Sequence, residues 1–360
     1  MRLRQIFYES AFRTIWMASF LATGLLIGGC RKQNDPRKAS PVEAKSTNEL
    51  VGSSAPAVPV RTNEPIASPT NAPVSAEARA TNSTPSEIPA TDSDRAIAFY
   101  NDGVARMQGD GVPQSMSEAS KRFRQAAELG HPGAQHNLGV LCLSGRGVTQ
   151  DLAEAKAWLQ KSADQGLAEA QFKLASIYAN GIGVPQDFKE AVAWVRKAAE
   201  QGHIEAAYNL ATLYVQGQGV EPDLAEAARW YLTAAEKGKA AAQSNMGVFY
   251  ASGRGVKQDF AEANKWFRKA AEQGHPLAQF NLGHSYAEGK ALEQDYIEAY
   301  KWYILAAGQG DKDAAKEQLE LGLKMSAIQV GEGIRRANKF SARLETNQPP
   351  VLNARRPATK

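Results

Sequence analysis

The sequence predicts an all-α protein, an α/α solenoid of six helix-turn-helix units preceded by a disordered linker. The first observation behind this is a ladder. Five of the six tryptophans, Trp158, Trp194, Trp230, Trp266 and Trp302, stand 36 residues apart, each inside one recurring phrase that runs from DLAEAKAWLQKSADQG at Asp151 to DYIEAYKWYILAAGQG at Asp295. One short helical unit cannot bury its own apolar face, so a strict period means like units leaning on one another. The second observation is punctuation in the same phase. Asp151, Asp187, Asp223, Asp259 and Asp295 stand where a helix start needs an acceptor, with Glu154, Glu190, Glu226, Glu262 and Glu298 three residues on; Ser115 and Glu118 repeat this capping box in the first row. Gly130, Gly166, Gly202, Gly238, Gly274 and Gly310 supply the left-handed backbone that ends each helix.

Ahead of the repeats, Arg2, Arg4 and Arg13 precede an apolar stretch at 14–29 that ends at Cys30. About sixteen residues fall short of the ~20 needed to cross a bilayer, so 1–29 reads as an export signal. Leu26-Ile27-Gly28-Gly29-Cys30 resembles a bacterial lipobox. That resemblance implies a lipoprotein signal peptide, lipidation of Cys30 and a membrane-anchored protein of the cell envelope facing the periplasm or the cell exterior. Ile27 and Gly28 depart from the commonest pattern, and an ordinary signal peptide or an N-terminal anchor is the other reading. With Cys30 lipidated, Cys142 is the one thiol left and no internal disulfide can form. Cys142 takes the position of Tyr178, Tyr214, Tyr250 and Tyr286, and reads as a small core hydrophobe.

Residues 30–93 form the expected tether. Nine prolines and no Phe, Trp or Tyr leave nothing to pack. A flexible chain of this length spans about 45 Å on average and ~195 Å as extended polyproline, enough to hold a folded body off a membrane.

The repeat region covers 94–330. Rows begin at Gly111, Gly147, Gly183, Gly219, Gly255 and Ala291 without insertion. Each opens on a G-x-G-V corner, runs through a tryptophan helix and enters a second helix of the form A-Q-x-N-L-G-x-x-Y-x-x-G. Ala170, Leu174, Ala175 and Tyr178, or Ala278, Leu282, Gly283 and Tyr286, fall at helical spacing, and Gly or Ala after the leucine lets two helices approach closely. This pattern resembles the Sel1-like repeat, a tetratricopeptide relative, with units at about 98–133, 134–169, 170–205, 206–241, 242–277 and 278–313. The resemblance implies antiparallel helix pairs stacked into a right-handed superhelix with a concave face.

Departures fall at the ends, where a solenoid needs polar caps. Asp102, Arg106 and Arg122 replace the core leucine, the tyrosine and the tryptophan of the first unit, and Ala291 breaks the double-glycine corner of the last. Leu319, Leu323 and Ile334 read as closing helices laid over the last exposed core. Residues 331–360 hold the end of that cap and a basic tail that should fray after Thr346. The formal charge of +4 comes from the two ends: seven Lys/Arg against Glu332 and Glu345 in 331–360, and three Arg against Glu9 at the front. The repeat region is left slightly acidic, which excludes nucleic acid as a primary partner.

In the second helices, positions with spacing i, i+4, i+7 collect His136, Val140, Leu143, Phe172, Ser176, Tyr208, Thr212, Val215, Ser244, Val248, Phe280 and His284 on one face. By resemblance to tetratricopeptide domains this face lines a concave groove, which would take a protein or peptide partner. Alternatively, Phe172, Tyr208 and Phe280 fill the joints between repeats. The corners lack the preceding strand, third glycine and lysine of a phosphate loop. His131, His203 and His275 stand on separate turns, which argues against a metal site. Neither a catalytic constellation nor a cofactor motif is present. The resulting expectation is a non-catalytic interaction scaffold of the envelope, anchored to a membrane by its N-terminal lipid. The rivals are a protein that binds or hydrolyses cell-wall material or β-lactams, and a regulator of an envelope sensor or polysaccharide-export complex. A cysteine-rich Sel1-like branch is credited with β-lactam chemistry, but it has a disulfide in each repeat and this array has one cysteine.

Overall fold

The computed structural model describes residues 91–347. The signal peptide, Cys30, the tether up to residue 90 and the tail beyond 347 lie outside the described residues. Within them are fourteen helices: α1 (Asp92–Gln108), α2 (Met116–Glu128), α3 (Pro132–Ser144), α4 (Leu152–Asp164), α5 (Ala168–Asn180), α6 (Phe188–Glu200), α7 (Ile204–Gln216), α8 (Leu224–Glu236), α9 (Ala240–Ser252), α10 (Phe260–Glu272), α11 (Pro276–Glu288), α12 (Tyr296–Gly308), α13 (Lys312–Gly322) and α14 (Ala327–Asn347). Each helix from α1 to α12 packs on the next, most extensively within the pairs α1–α2 through α11–α12. Tryptophans sit on even-numbered helices, and the Leu-Gly-Tyr pattern on odd-numbered ones. None of the described helices is long and apolar enough to cross a membrane.

Helix starts are built as expected, with one change. Asp151 Oδ1 accepts from the Glu154 amide at 2.8 Å, and Asp187 Oδ1 from Lys189 and Glu190 at 2.9 and 3.1 Å. A reciprocal capping box would turn the following Glu back to the cap's own amide. Instead that amide donates to the preceding odd helix, Asp151 N to Cys142 O at 3.0 Å and Asp259 N to Tyr250 O at 2.9 Å. The freed glutamates pair sideways, as Glu154 does with Arg124 and the Trp158 indole N–H. One aspartate thus fixes both its helix and the hairpin angle.

Inside each hairpin a small residue on the odd helix receives a large one from the even helix. A methyl on Gly139 would lie 2.6 Å from Leu159, and one on Gly283 would lie 2.9 Å from the Tyr303 ring. Such contacts leave no room for a side chain. The second corner glycine serves a different approach: Gly219 (φ 70°) lies against the backbone of Phe188, and Gly255 (φ 71°) against that of Leu224. Ala291 keeps this conformation at φ 54°, the one non-glycine residue with positive φ among the described residues.

Within the same hairpins runs a second ladder. Gln165, Gln201, Gln273 and Gln309 donate to Gln135, Gln171, Gln243 and Gln279 at 2.7, 2.7, 2.7 and 2.9 Å. Gln135, Gln171, Gln243 and Gln279 are buried, and each also donates to the carbonyl of the alanine eight residues before it. In the 204–239 unit both positions change together, to Ala207 and Lys237.

The N-terminal end is polar, as expected. Asp102 meets Arg106 at 2.9 Å and Arg122 at 2.7 Å. The C-terminal end differs from expectation. Leu319, Leu323 and Ile334 are exposed, at 72%, 89% and 43%. Leu319 occupies the position held by Gly283 one repeat earlier, so its side chain fills the space where a seventh even helix would dock. Helix α14 packs on α12 instead. There Gly333 lies against Tyr300, Arg336 meets Glu298 at 2.7 Å, and the Phe340 ring meets Trp302 edge-on at 5.2 Å. The covering is done by Leu321, Ala337 and Phe340, which are buried.

Candidate partner-binding groove

Odd helices α3, α5, α7, α9 and α11 carry the twelve positions singled out in the sequence, each helix presenting them in the same register. Among them, Ser176 and Ser244 are buried and the other ten half-buried. The hydroxyls of Ser176 and Thr212 donate to carbonyls one turn back, Phe172 O and Tyr208 O, each at 3.0 Å. Such bonds leave little polar capacity for a ligand. Val140, Leu143, Val215 and Val248 pack against the apolar core.

The aromatic positions are braced by residues that sequence reading did not connect to them. Phe172 lies 4.7 Å from the His203 ring. Tyr208 lies 5.5 Å from Tyr231 and carries the Lys239 ammonium 5.0 Å over its face. Phe280 meets Tyr303 at 5.9 Å and His284 at 6.3 Å. Tyr100 on α1, one repeat before His136, extends the row and stacks on His131 at 4.3 Å. The row therefore runs Tyr100, His136, Phe172, Tyr208, Ser244, Phe280. Counting 36 back from His136 would have found Tyr100; the polar look of the first unit hid it.

The bracing residues His131, His203 and Lys239 occupy the N-cap of the next odd helix, 31 positions on. Tyr100, Phe172 and Tyr208 thus each join two successive hairpins and still present part of a ring at the surface, so packing and presentation coexist in one side chain. His284 Nε2 lies 3.3 Å from Glu288. His136, its ring nitrogen Nδ1 buried without a partner, has its pKa pushed down to about 4 by desolvation, reinforced by Lys173 and His203, so it is neutral near pH 7. At Ser244 the row has a gap: its hydroxyl has no hydrogen-bond partner, nor does His275 Nδ1 at the adjoining cap.

The chemistry of the array is that of packing. Cys142 is buried 3.7 Å from Glu154 Oε2, and burial with that neighbouring charge pushes its thiol up to about 11, far from a nucleophilic thiolate. Among the described residues, no three His, Cys, Asp or Glu side chains converge as metal ligands. The tryptophan ladder is capped by cations: Lys161, Lys197 and Lys269 lie 4.2, 3.8 and 4.1 Å over Trp158, Trp194 and Trp266.

Comparison with known proteins agrees with this architecture. The model of the Sel1 repeat matches six consecutive segments, 92–131, 132–167, 168–203, 204–239, 240–275 and 276–311. Among solved structures, the chain is similar to c5321, a protective antigen of uropathogenic Escherichia coli strains displaying an SLR fold, at 33% identity and a TM-score of 0.64. That match covers 70% of this chain and 56% of the antigen, so the chain spans little more than half of that relative. It is also similar to a Sel1 repeat protein from Oxalobacter formigenes, at 32% identity and a TM-score of 0.51, covering 59% of this chain and 86% of that one. None of the curated proteins matches. Six matched units, spanning well over half the sequence, together with the paired helices and their glycine contacts, place this chain in the Sel1 repeat family.

Proposed function

We propose that this protein is a non-catalytic scaffold of the bacterial cell envelope that holds a peptide or protein partner along the odd-helix face. One observation carries the reading. The core positions repeat almost unchanged, with Ala134, Ala170, Ala206, Ala242 and Ala278 all buried, whereas the face that the same five odd helices share reads His136, Phe172, Tyr208, Ser244, Phe280. A surface kept in register but varied in chemistry suits recognition of an extended or helical ligand, and half-buried aromatics offer contact area at low entropic cost. Lipidation of Cys30, with a tether to about residue 90, would anchor this scaffold to a membrane. An envelope location is in keeping with likeness to a protein that is a protective antigen.

The test is photocrosslinking in intact cells, with a benzophenone amino acid at Tyr208 or Phe280 on the odd face and at exposed Ala157 or Ala193 on the even helices. A discrete adduct from the first pair and none from the second is expected. Equal labelling from both faces would defeat the groove. Fatty-acid labelling should vanish in Cys30→Ser, and unchanged labelling would remove the lipid anchor. Turnover of a chromogenic β-lactam by the purified protein would displace the scaffold reading in favour of the cell-wall one.

A further inference from the structure

We propose that His131, His203 and His275 are acid-sensitive catches on the first turns of α3, α7 and α11, so that every second hairpin loosens when these imidazoles take up a proton. The inference rests on helix capping at His131 and His203 and on a buried, unpartnered ring nitrogen at His275, and is independent of any groove partner.

The geometry is specific. His131 Nδ1 accepts from the Ala134 amide at 3.2 Å, and His203 Nδ1 accepts from the Ala206 amide at 3.1 Å. A ring nitrogen can accept only while it is unprotonated. Elsewhere the N-cap acceptors are aspartates or Ser115 and Thr91, or the odd-helix cap makes no side-chain bond, as at Leu167 and Lys239. Protonation would therefore remove the acceptor and set a positive charge on a helix N-terminus, whose exposed amides already favour negative charge. His275 makes no cap bond, but its Nδ1 is buried without a partner, so charging it requires uncovering it.

The surroundings resist protonation in the closed state. His131 stacks on Tyr100 of α1, and the His203 ring lies tilted against Phe172 of α5. The Lys237 ammonium, at the end of α8, lies against Gly202 beside His203, and His136 of α3 and Lys173 of α5 share its field. At the matching place, neutral Gln309 donates to Gly274 O beside His275. Burial lowers the pKa of His131, and lowers that of His275 to about 4. A base whose folded pKa lies below its unfolded value stabilises the fold above the unfolded pKa, near 6.5, and loses that contribution as pH falls toward the folded value. The window thus runs from about pH 6.5 down to about 4 at His275.

Site-resolved amide hydrogen exchange on the full chain reads the two capping catches, His131 and His203, separately. After correction for intrinsic rates, protection of the Ala134 and Ala206 amides should fall about tenfold between pH 7 and pH 5, because the opened turn gains a proton-binding site that the closed turn lacks. The Glu190 amide, capped by Asp187, is the reference in the same spectra. In His131→Asn/His203→Asn the caps persist without a titrating group, and the two amides should track the reference across that range. Loss of protection that is equal in wild type and variant, or absent from wild type, overturns the proposal. Where the variant does not fold, imidazole resonances of the wild-type chain decide: His131 and His275 titrating at or above the ordinary histidine range would overturn it, and titration below that range supports it.

Discussion

The hairpin α11–α12 and its would-be successor α13–α14 follow almost the same phrase, AAEQG at Ala270 and AAGQG at Ala306, and end differently. In the first, Gly283 admits the Tyr303 ring, and Gln279 takes a hydrogen bond from Gln309. In the second, Leu319 stands in the glycine position and Ala315 in the glutamine position. Both features that hold an even helix on an odd one are missing, and α14 lies on α12, where Gly333 offers the close approach that α13 lacks. The comparison teaches that continuation of this array depends on a small residue at one register position more than on apolar content. The open end has more large exposed apolar side chains than the hairpins do, yet no helix lies on them.

The strongest way to break this comparison is to give the inner hairpin the residue of the outer one. Gly283→Leu should cost about 3 kcal/mol or more, because a side chain there meets the Tyr303 ring and the Ala299 carbonyl in a well-packed core. Unfolding of a repeat array is not strictly two-state. The loss should therefore be read by hydrogen exchange in α11 and α12, with α3 and α4 little changed. Unchanged protection in α11 would show that the small residue is incidental.

A smaller effect sharpens the role of the glutamine ladder. Gln279→Ala reproduces what the chain already has at Ala207 and Ala315, and leaves the Ala271 carbonyl and Gln309 short of partners. About 1–2 kcal/mol should be lost. Adding Gln309→Lys, to match the Ala207–Lys237 pair, should recover part of it. A double-mutant cycle with no coupling between the two positions would mean that the paired change in the 204–239 unit has no energetic basis.

These two tests bear on what could be read in advance. The period, helix ends, hairpin glycines and polar start were legible because each follows from spacing and local backbone chemistry. Glutamine at the end of a helix looks like an ordinary solvated residue, and only the joint change at 207 and 237 marks it as one half of a pair. The odd-face register was legible too, but its bracing was not: the residue that supports Tyr100, Phe172 or Tyr208 is the N-cap of the next odd helix, and a cap is normally read for its own helix. Leu319, Leu323 and Ile334 misled for a related reason. Apolar spacing marks a face of a helix without saying which neighbour covers it, and the docking that decides this is tertiary.

Ala291 offers a change of opposite sign at the same end of the array. It holds the left-handed backbone that glycine adopts in the other corners, a conformation that costs an L-residue about 1 kcal/mol. Ala291→Gly should recover up to about that much, less the entropy glycine loses on folding, as a rise in the melting temperature of about 1–3 °C. A fall would mean that the methyl group packs usefully against the neighbouring turn, and that the last corner, like α13, is adapted for termination.

The smallest expected effect falls on Leu319 itself. If its importance is to deny a docking site, and not to hold anything in place, Leu319→Ala should change stability by less than about 0.5 kcal/mol, since the side chain is 72% exposed and alanine is the better helix former. Leu319→Gly would test the denial directly, though glycine costs α13 about 1 kcal/mol of helix propensity. Shortened side chains at 319 free the space on α13, but α14 remains held by the Phe340–Trp302 contact and the Arg336–Glu298 pair. Protection in α14 should therefore stay as in wild type. A shift of α14 protection in Leu319→Gly alone would show that one side chain chooses between the two docking modes; no shift until Phe340 is also cut back to Ala would show that the contacts on α12 hold the closing helix, with the leucine a secondary barrier.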